Sequence, residues 1–402
     1  MLTRLRAVPF FVICILCCLA PSGARLTFSG AAATPTANPT TAGMFRGDAA
    51  RTGVFPGPAP VGPVGAVWVF RASNAILSSP AVAGDTVYVG DLDGYVYALD
   101  AATGKERWRF DADTAIRSSP AVAGGTVYVA RYDHDLFALD AATGKERWRF
   151  TADGAVSSSP VVVVGVVYIG TFGRTLYAID AATGRPRWQA QTGAAIRSSP
   201  AVAPDGATVV VGCEDGSLYA FDAETGTVRW TFATAGPVSS TPAVSAGTVF
   251  FGSSDHHLYA LDVATGRQRW TFDAGDALTS SPAISAGLVV FGGYDRRLHA
   301  VDAATGRERW RVGTDRIILS SPAIAGGTVA VGSVDHDLYA FDLNTGRERW
   351  HVTTGAPVNS SPAIANGLVY VGSLDYHFYA IGDVSGSGAG GATPVAGSPT
   401  AG

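Results

Sequence analysis

Histidines and carboxylates alternate in this chain at spacings that metal binding or proton transfer could use. Asp133-His134-Asp135, Asp255-His256-His257, Asp335-His336-Asp337 and Tyr376-His377 each set an imidazole beside an oxygen donor. Asp93, Asp133, Asp215, Asp255, Asp295, Asp335 and Asp375 recur at matching places, with Gly173 at the eighth, and a ring of carboxylates could hold a cation. Zinc, however, needs ligands about 2 Å from the ion, converging from several directions. Tips of separate sheets, about 10 Å apart, diverge instead. Only His336 and His377, on neighbouring repeats, could approach each other. Asp93-Gly94 and Asp215-Gly216 are hairpin pairs, and a turn accounts for every aspartate of the set. No metal site is predicted. Arg117 and Arg197 are the other candidates, since a guanidinium there could receive an anionic ligand or an acidic partner loop. With His134, His256, His257, His336 and His377 they make up the candidate partner face.

Cysteine chemistry is excluded on position. Cys14, Cys17 and Cys18 fall within residues 1–24, which read as a secretory signal. Arg4 and Arg6 give the positive start, Ala7 to Ala20 the apolar stretch, and Ser22-Gly23-Ala24 a small-x-small cleavage site. A membrane span needs about 18 apolar residues, more than this stretch supplies, so no stable span is expected. An uncleaved anchor is the alternative. After cleavage Cys213 stands alone, without a disulfide partner. No Ser/His/Asp order, phosphate-binding glycine loop or C-x-x-C-H haem motif is present, so no catalytic residue is named.

What must position these residues is a repeat. Pro80, Pro120, Pro160, Pro200, Pro242, Pro282, Pro322 and Pro362 each close a Ser-Ser-Pro or Ser-Thr-Pro triplet, 40 residues apart except for one step of 42. Within the second repeat, Ser119 to Ala123, Thr126 to Ala130, Leu136 to Asp140 and Arg147 to Phe150 read as short strands separated by Gly- or Asp-bearing turns. Four antiparallel strands per 40 residues make a propeller blade. Seven repeats also carry Asp-x-x-Thr-Gly, Asp-Ala-x-Thr-Gly in five of them, with a tryptophan four residues on. Trp68, Trp108, Trp148, Trp188, Trp230, Trp270, Trp310 and Trp350 are all the tryptophans of the chain, and they are expected to dock blade on blade. The last repeat lacks its fourth strand, and the segment around Trp68 has the missing composition. An all-β, eight-bladed propeller closed by an N-terminal strand follows. The chain has 402 residues, too many for one compact core, which stops growing near 250–300. A ring of blades resolves this. A net charge of −4 excludes a strongly basic nucleic-acid binder.

Asp-Ala-x-Thr-Gly-x-x-x-Trp, with Ser-Ser-Pro-Ala-Val and Val-Tyr-Val-Gly, resembles the repeat of the pyrroloquinoline-quinone (PQQ) propellers over residues 66–382. The family holds quinone-dependent alcohol dehydrogenases, the non-catalytic propeller lipoprotein of the bacterial β-barrel assembly machine, and repeat domains of bacterial kinases. Its dehydrogenases add to the repeat a calcium site, a catalytic aspartate, aromatic surfaces for the cofactor and usually a vicinal disulfide. Uniform repeats leave no room for such insertions, so no cofactor is predicted.

Residues 25–65 read as a flexible leader followed by a lead-in, Met44 to Gly57, packed against one face. Its Arg46-Gly47-Asp48 looks like a chance triplet. Residues 383–402 read as a disordered tail. The chain is thus expected to be an exported, monomeric, non-catalytic propeller that binds or scaffolds a protein partner in the cell envelope. The competing readings are a PQQ-dependent or other quinone-binding oxidoreductase, and a small-molecule or glycan sensor.

Overall fold

A computed structural model describes residues 43–384; the signal, most of the leader and the tail lie outside the described residues. Eight four-stranded antiparallel sheets form the blades of a β-propeller. In the second blade the strands are Ala121–Ala123, Thr126–Ala130, Asp135–Asp140 and Glu146–Thr151, ordered outward from the central channel. Side-chain character follows that order. The second strand, Thr-Val-Tyr-Val-Ala, is buried on both faces, as a strand between two blades must be. The outer strand alternates between exposed and half-buried residues, its solvent face carrying Glu and Arg.

The repeated tryptophan sits at a β-bulge, always opposite an alanine: Ala98 faces Trp108 and Ala138 faces Trp148. Small residues there leave room for the indole, which crosses to the next blade. Trp108 Nε1 donates to the Ala141 carbonyl at 3.0 Å, and its ring lies against Gly144. Gly144 has φ of 72°, and a Cβ there would come within 2.6 Å of the ring. The glycine therefore serves the turn and the indole at once.

Beside that glycine, Asp140 Oδ1 accepts the Thr143 N–H and hydroxyl, while Arg147 donates to Oδ2 at 2.6 Å. Arginine and then threonine hydrogen bonds hold the carboxyls of Asp100, Asp140, Asp180 and Asp342 near 2, below the ordinary carboxylate range. A carboxyl with a lowered folded-state pKa contributes its stability in full above the unfolded value of about 4 and loses it on the way down to about 2. The melting temperature should therefore stay level from about pH 7 to pH 5 and fall between about pH 4 and pH 2. A drop already complete at about pH 5 would mean that other groups dominate.

The ring closes on the N-terminal strand. Val64–Arg71 pairs antiparallel with His377–Asp383, setting Ala66 opposite Ile381, Trp68 opposite Ala380 and Phe70 opposite Phe378. Trp68 thus takes in the eighth blade the place that Trp108 takes in the first.

Candidate functional site: the plugged channel and the loop face

The Ser-Ser-Pro triplets line the channel, and each residue has a separate task. The first serine staples its inner strand to the second: its Oγ accepts the N–H that ends the second strand, as from Ala130 to Ser118 at 2.9 Å. All eight blades repeat this bond, at 2.7 to 3.3 Å. The second residue joins neighbouring blades. Ser79 N–H donates to Ser119 Oγ, Ser119 to Ser159, and so on through Thr241 until Ser361 donates to Ser79, each at 2.9 to 3.1 Å. The hydrogen bonds make a closed circle around the channel. Proline follows; it has no N–H to donate, and at the inner edge of the blade its carbonyl has no further strand to pair with.

Those carbonyls are met by the lead-in. Residues 43–55 enter the channel and do not merely pack against one face as the sequence implied. Inner-strand N–H groups of Val202, Val244, Ile284 and Ile324 donate to the carbonyls of Ala49, Ala50, Thr52 and Gly53, each at 2.8 Å. Arg51, fully buried, donates to the carbonyls of Pro200 at 3.0 Å, Ser159 and Pro160 at 2.9 Å, and Phe45 at 2.6 Å. Arg46 donates to Pro282, to Pro322 at 3.5 Å and to Arg51 at 3.1 Å. Burial pushes both guanidiniums down to about 9, still above neutral, so both remain cations. Arg46 is a structural arginine inside the channel, and the Arg-Gly-Asp triplet is not displayed for recognition.

At the loop face, where the Ser-Ser-Pro strands begin, the predicted residues are placed as follows. Arg117 lies over the Tyr132 ring with its guanidinium carbon 4.2 Å from the centroid, and Arg197 over Phe172 at 5.1 Å. Tyr132 and Phe172 meet edge to face, 5.9 Å between centroids. Arg117, Tyr132, Phe172 and Arg197 therefore form one strip across the second and third blades, with both arginines exposed. The two aromatics were not singled out from sequence. Their signal was the tip position after the second strand, which holds Leu92, Glu214, Ser254, Tyr294, Val334 and Leu374 in the other repeats.

The histidines stay within their own turns. His256 and His336 take φ of 79° and 82°, the left-handed position that Gly94 and Gly216 fill in other blades. His257 Nδ1 faces the Asp255 carbonyl at 2.9 Å, and His377 Nδ1 lies 3.4 Å from Asp375. His134 is exposed. Among the described residues no three His, Cys, Asp or Glu side chains gather to hold a metal ion. The tip aspartates do more than turn the chain. Asp255, Asp335 and Asp375 each accept a tyrosine hydroxyl of their own blade and a backbone N–H of the preceding loop, those of Ala235, Asp315 and Gly355. Sequence reasoning also passed over His299, which replaces the usual Tyr or Phe of the third strand. It is 2% exposed, stacks on Phe291, and has Asp295 and Glu308 oxygens 2.9 Å from its two nitrogens.

Cys213 directly follows the second strand of the fourth blade and is fully buried, and burial pushes its thiol up. In a chain starting at Arg25, a thiol reagent should react with it slowly in the native state and at one equivalent after denaturation. Fast native labelling would show that this blade opens.

A family model described as outer membrane protein assembly factor BamB matches residues 92–221, 197–315 and 294–388. No curated protein sequence matches. Among solved structures, BamB from Moraxella catarrhalis is 21% identical over 80% of this chain and 100% of that one, with a TM-score of 0.70. The quinohemoprotein alcohol dehydrogenase of Comamonas testosteroni is 17% identical over 87% and 82%, with a TM-score of 0.74. The computationally designed Ika8 protein is 17% identical over 79% and 99%, with a TM-score of 0.72. These likenesses show the fold.

Whether the channel fits a quinone is a question of its donor set. At the Ser-Ser-Pro level the wall offers hydroxyls that accept within the serine circle, and several of its proline carbonyls are taken by Arg46 and Arg51. The Ser-Ser-Pro level of the channel supplies no carboxylate or amide side chain to a calcium ion.

Proposed function

We propose, because the chain belongs to the family of the outer membrane protein assembly factor BamB, that it is an exported, non-catalytic propeller holding a protein partner on its loop face. The observation that supports this reading is the strip Arg117–Tyr132–Phe172–Arg197. Two exposed guanidiniums stacked on aromatic rings, that of Arg197 also 3.7 Å from Glu214, form a preordered arginine–aromatic surface, and arginine and aromatic side chains are enriched where proteins bind one another. An acidic loop with one apolar anchor complements it. Export rests on the Arg4/Arg6 start and the apolar stretch after it, and places the protein in the cell envelope. Among the described residues no helix is long and apolar enough to cross a membrane.

A photo-crosslinker at position 117 should capture a defined envelope protein in living cells, and one at Val228 on an outer strand should not. Arg117→Glu with Arg197→Glu should abolish the crosslink at an adjacent position while leaving the melting temperature unchanged. Stoichiometric PQQ binding at micromolar concentration, together with dye-linked alcohol oxidation, would sink the reading.

A further inference from the structure

Seven of the eight blades close their outer edge with the same ion pair, and the eighth does not. In those seven the residue before the tryptophan is arginine, as in Arg107 and Arg349, and it reaches the turn aspartate of its own blade at 2.6 to 2.9 Å. In the eighth blade the outer strand is Val64–Arg71, and Val67 stands where the arginine would be. Gly382 stands where the aspartate would be. A Cβ on Gly382 would come within 2.9 Å of Val67, so the glycine leaves the room that the valine takes.

Both replacements make this edge apolar. Val61, Val67, Val69 and Val384 are 59%, 48%, 47% and 48% exposed, half of the eight large apolar side chains exposed among the described residues. They lie together. Val384 N–H donates to the Pro63 carbonyl at 2.9 Å, and Asp383 Oδ1 accepts the N–H groups of Val61 and Gly62 at 3.0 and 2.9 Å. Val64–Arg71 is also the longest outer strand, eight residues against six, and its one charge is Arg71 at its end. No strand lies beyond it in the sheet. Alternate N–H and C=O groups therefore face outward unpaired with any strand, and a long, uncharged edge rich in valine is a template for another one.

The occupant that these residues favour is the same strand of a second copy. In an antiparallel pairing about a two-fold axis at Trp68, Val67 of each copy meets Val69 of the other, and Arg71 meets Gly65. No charge then faces a like charge. The same pairing on the first blade would set Arg107 against Arg109. On every other blade it would set an arginine against arginine, glutamine, threonine or histidine. The chain's own tail is a poor competitor by composition. Residues 385–402 hold one large apolar residue, Val395, among Gly, Ser, Ala, Thr and Pro, and glycine and proline are depleted in strands.

We propose that two copies of this chain associate edge to edge through Val64–Arg71, joining their eighth blades into one eight-stranded sheet. The chain is then a pair and not the monomer that its sequence implied. The contact is smaller than the 2,000 Å² or so of permanent dimers, so a dissociation constant on the order of 10 µM is expected. This edge lies on the eighth blade, apart from the Arg117–Arg197 strip on the second and third, and stands or falls separately from it.

Sedimentation velocity of the mature chain between about 1 and about 200 µM should show a monomer passing into a dimer. Val67→Arg with Val69→Arg copies the first blade and should stay monomeric throughout, with an unchanged melting temperature. Val67→Glu with Val69→Glu should do the same. An equimolar mixture of the two variants should pair again, because each arginine now meets a glutamate. A chain ending at Val384 should pair as the full mature chain does. The proposal is overturned by a wild-type chain that remains monomeric at about 200 µM, by pairing that survives both double substitutions, by variants that stay apart when mixed, or by pairing that appears only once the tail is removed.

Discussion

Arg51→Ala should cost the protein roughly 3–4 kcal/mol of stability, among the largest single effects of any substitution in it. The Arg51 guanidinium serves four carbonyls, those of Phe45, Ser159, Pro160 and Pro200. Removing it leaves these acceptors buried, and each orphaned group costs about 1–3 kcal/mol. Part of that is returned, because a buried cation no longer has to be desolvated. The balance stays unfavourable, since the blades cannot close over the space and the carbonyls cannot turn to water. Arg51→Lys should recover less than half of the loss. An ammonium is a point charge with three donors and cannot span carbonyls on two blades as the planar fork does. Denaturant unfolding is the measurement, with m-values compared between variants. A loss under about 1 kcal/mol would mean that water enters the channel and satisfies the carbonyls.

How much of this was legible in sequence depended on whether a feature was repeated. The blade was, because its strands, its Asp-Ala-x-Thr-Gly turn and its tryptophan recur in one register, and each repeat makes its contacts with itself or the next. The missing outer strand of the last repeat was legible by subtraction, with Trp68 as its candidate. Arg46 and Arg51 were not. They occur once, in the lead-in outside the repeat, and nothing local marks them as buried. The clue lay in the repeat itself. The innermost strand of every blade is a sheet edge, so its channel-side carbonyls need donors from elsewhere in the chain. The Arg117–Arg197 strip was half legible for a similar reason. Its arginines stand out beside the uncharged Leu, Ser, Thr and Asn of the other repeats, whereas Tyr132 and Phe172 sit at a tip position where apolar residues are ordinary.

Trp68→Ala should destabilise the protein by about 3–5 kcal/mol, at least as much as Trp230→Ala, although Trp68 lies near the start of the fold. Both indoles dock on the turn glycine of the following blade, Gly104 and Gly266. Trp68 is the more deeply buried, at 9% exposure, and its ring also meets Tyr370 at 5.9 Å and Phe378 at 5.8 Å. Its strand is the one that closes the circle, so its loss is felt at both ends of the chain. Truncation separates this latch from the channel plug. A chain starting at Val64 loses Arg46 and Arg51 but keeps the latch, and its melting temperature should fall well below that of a chain starting at Gly43. A chain starting at Ser73 loses the latch as well. It bares the unpaired edge of His377–Asp383 together with the apolar side chains of Phe378 and Ile381. An open edge of that length invites pairing with another molecule, so this variant should melt lowest and aggregate on heating. If it melts with the chain starting at Val64, the latch contributes nothing and the ring is held by the Ser-Ser-Pro circle alone.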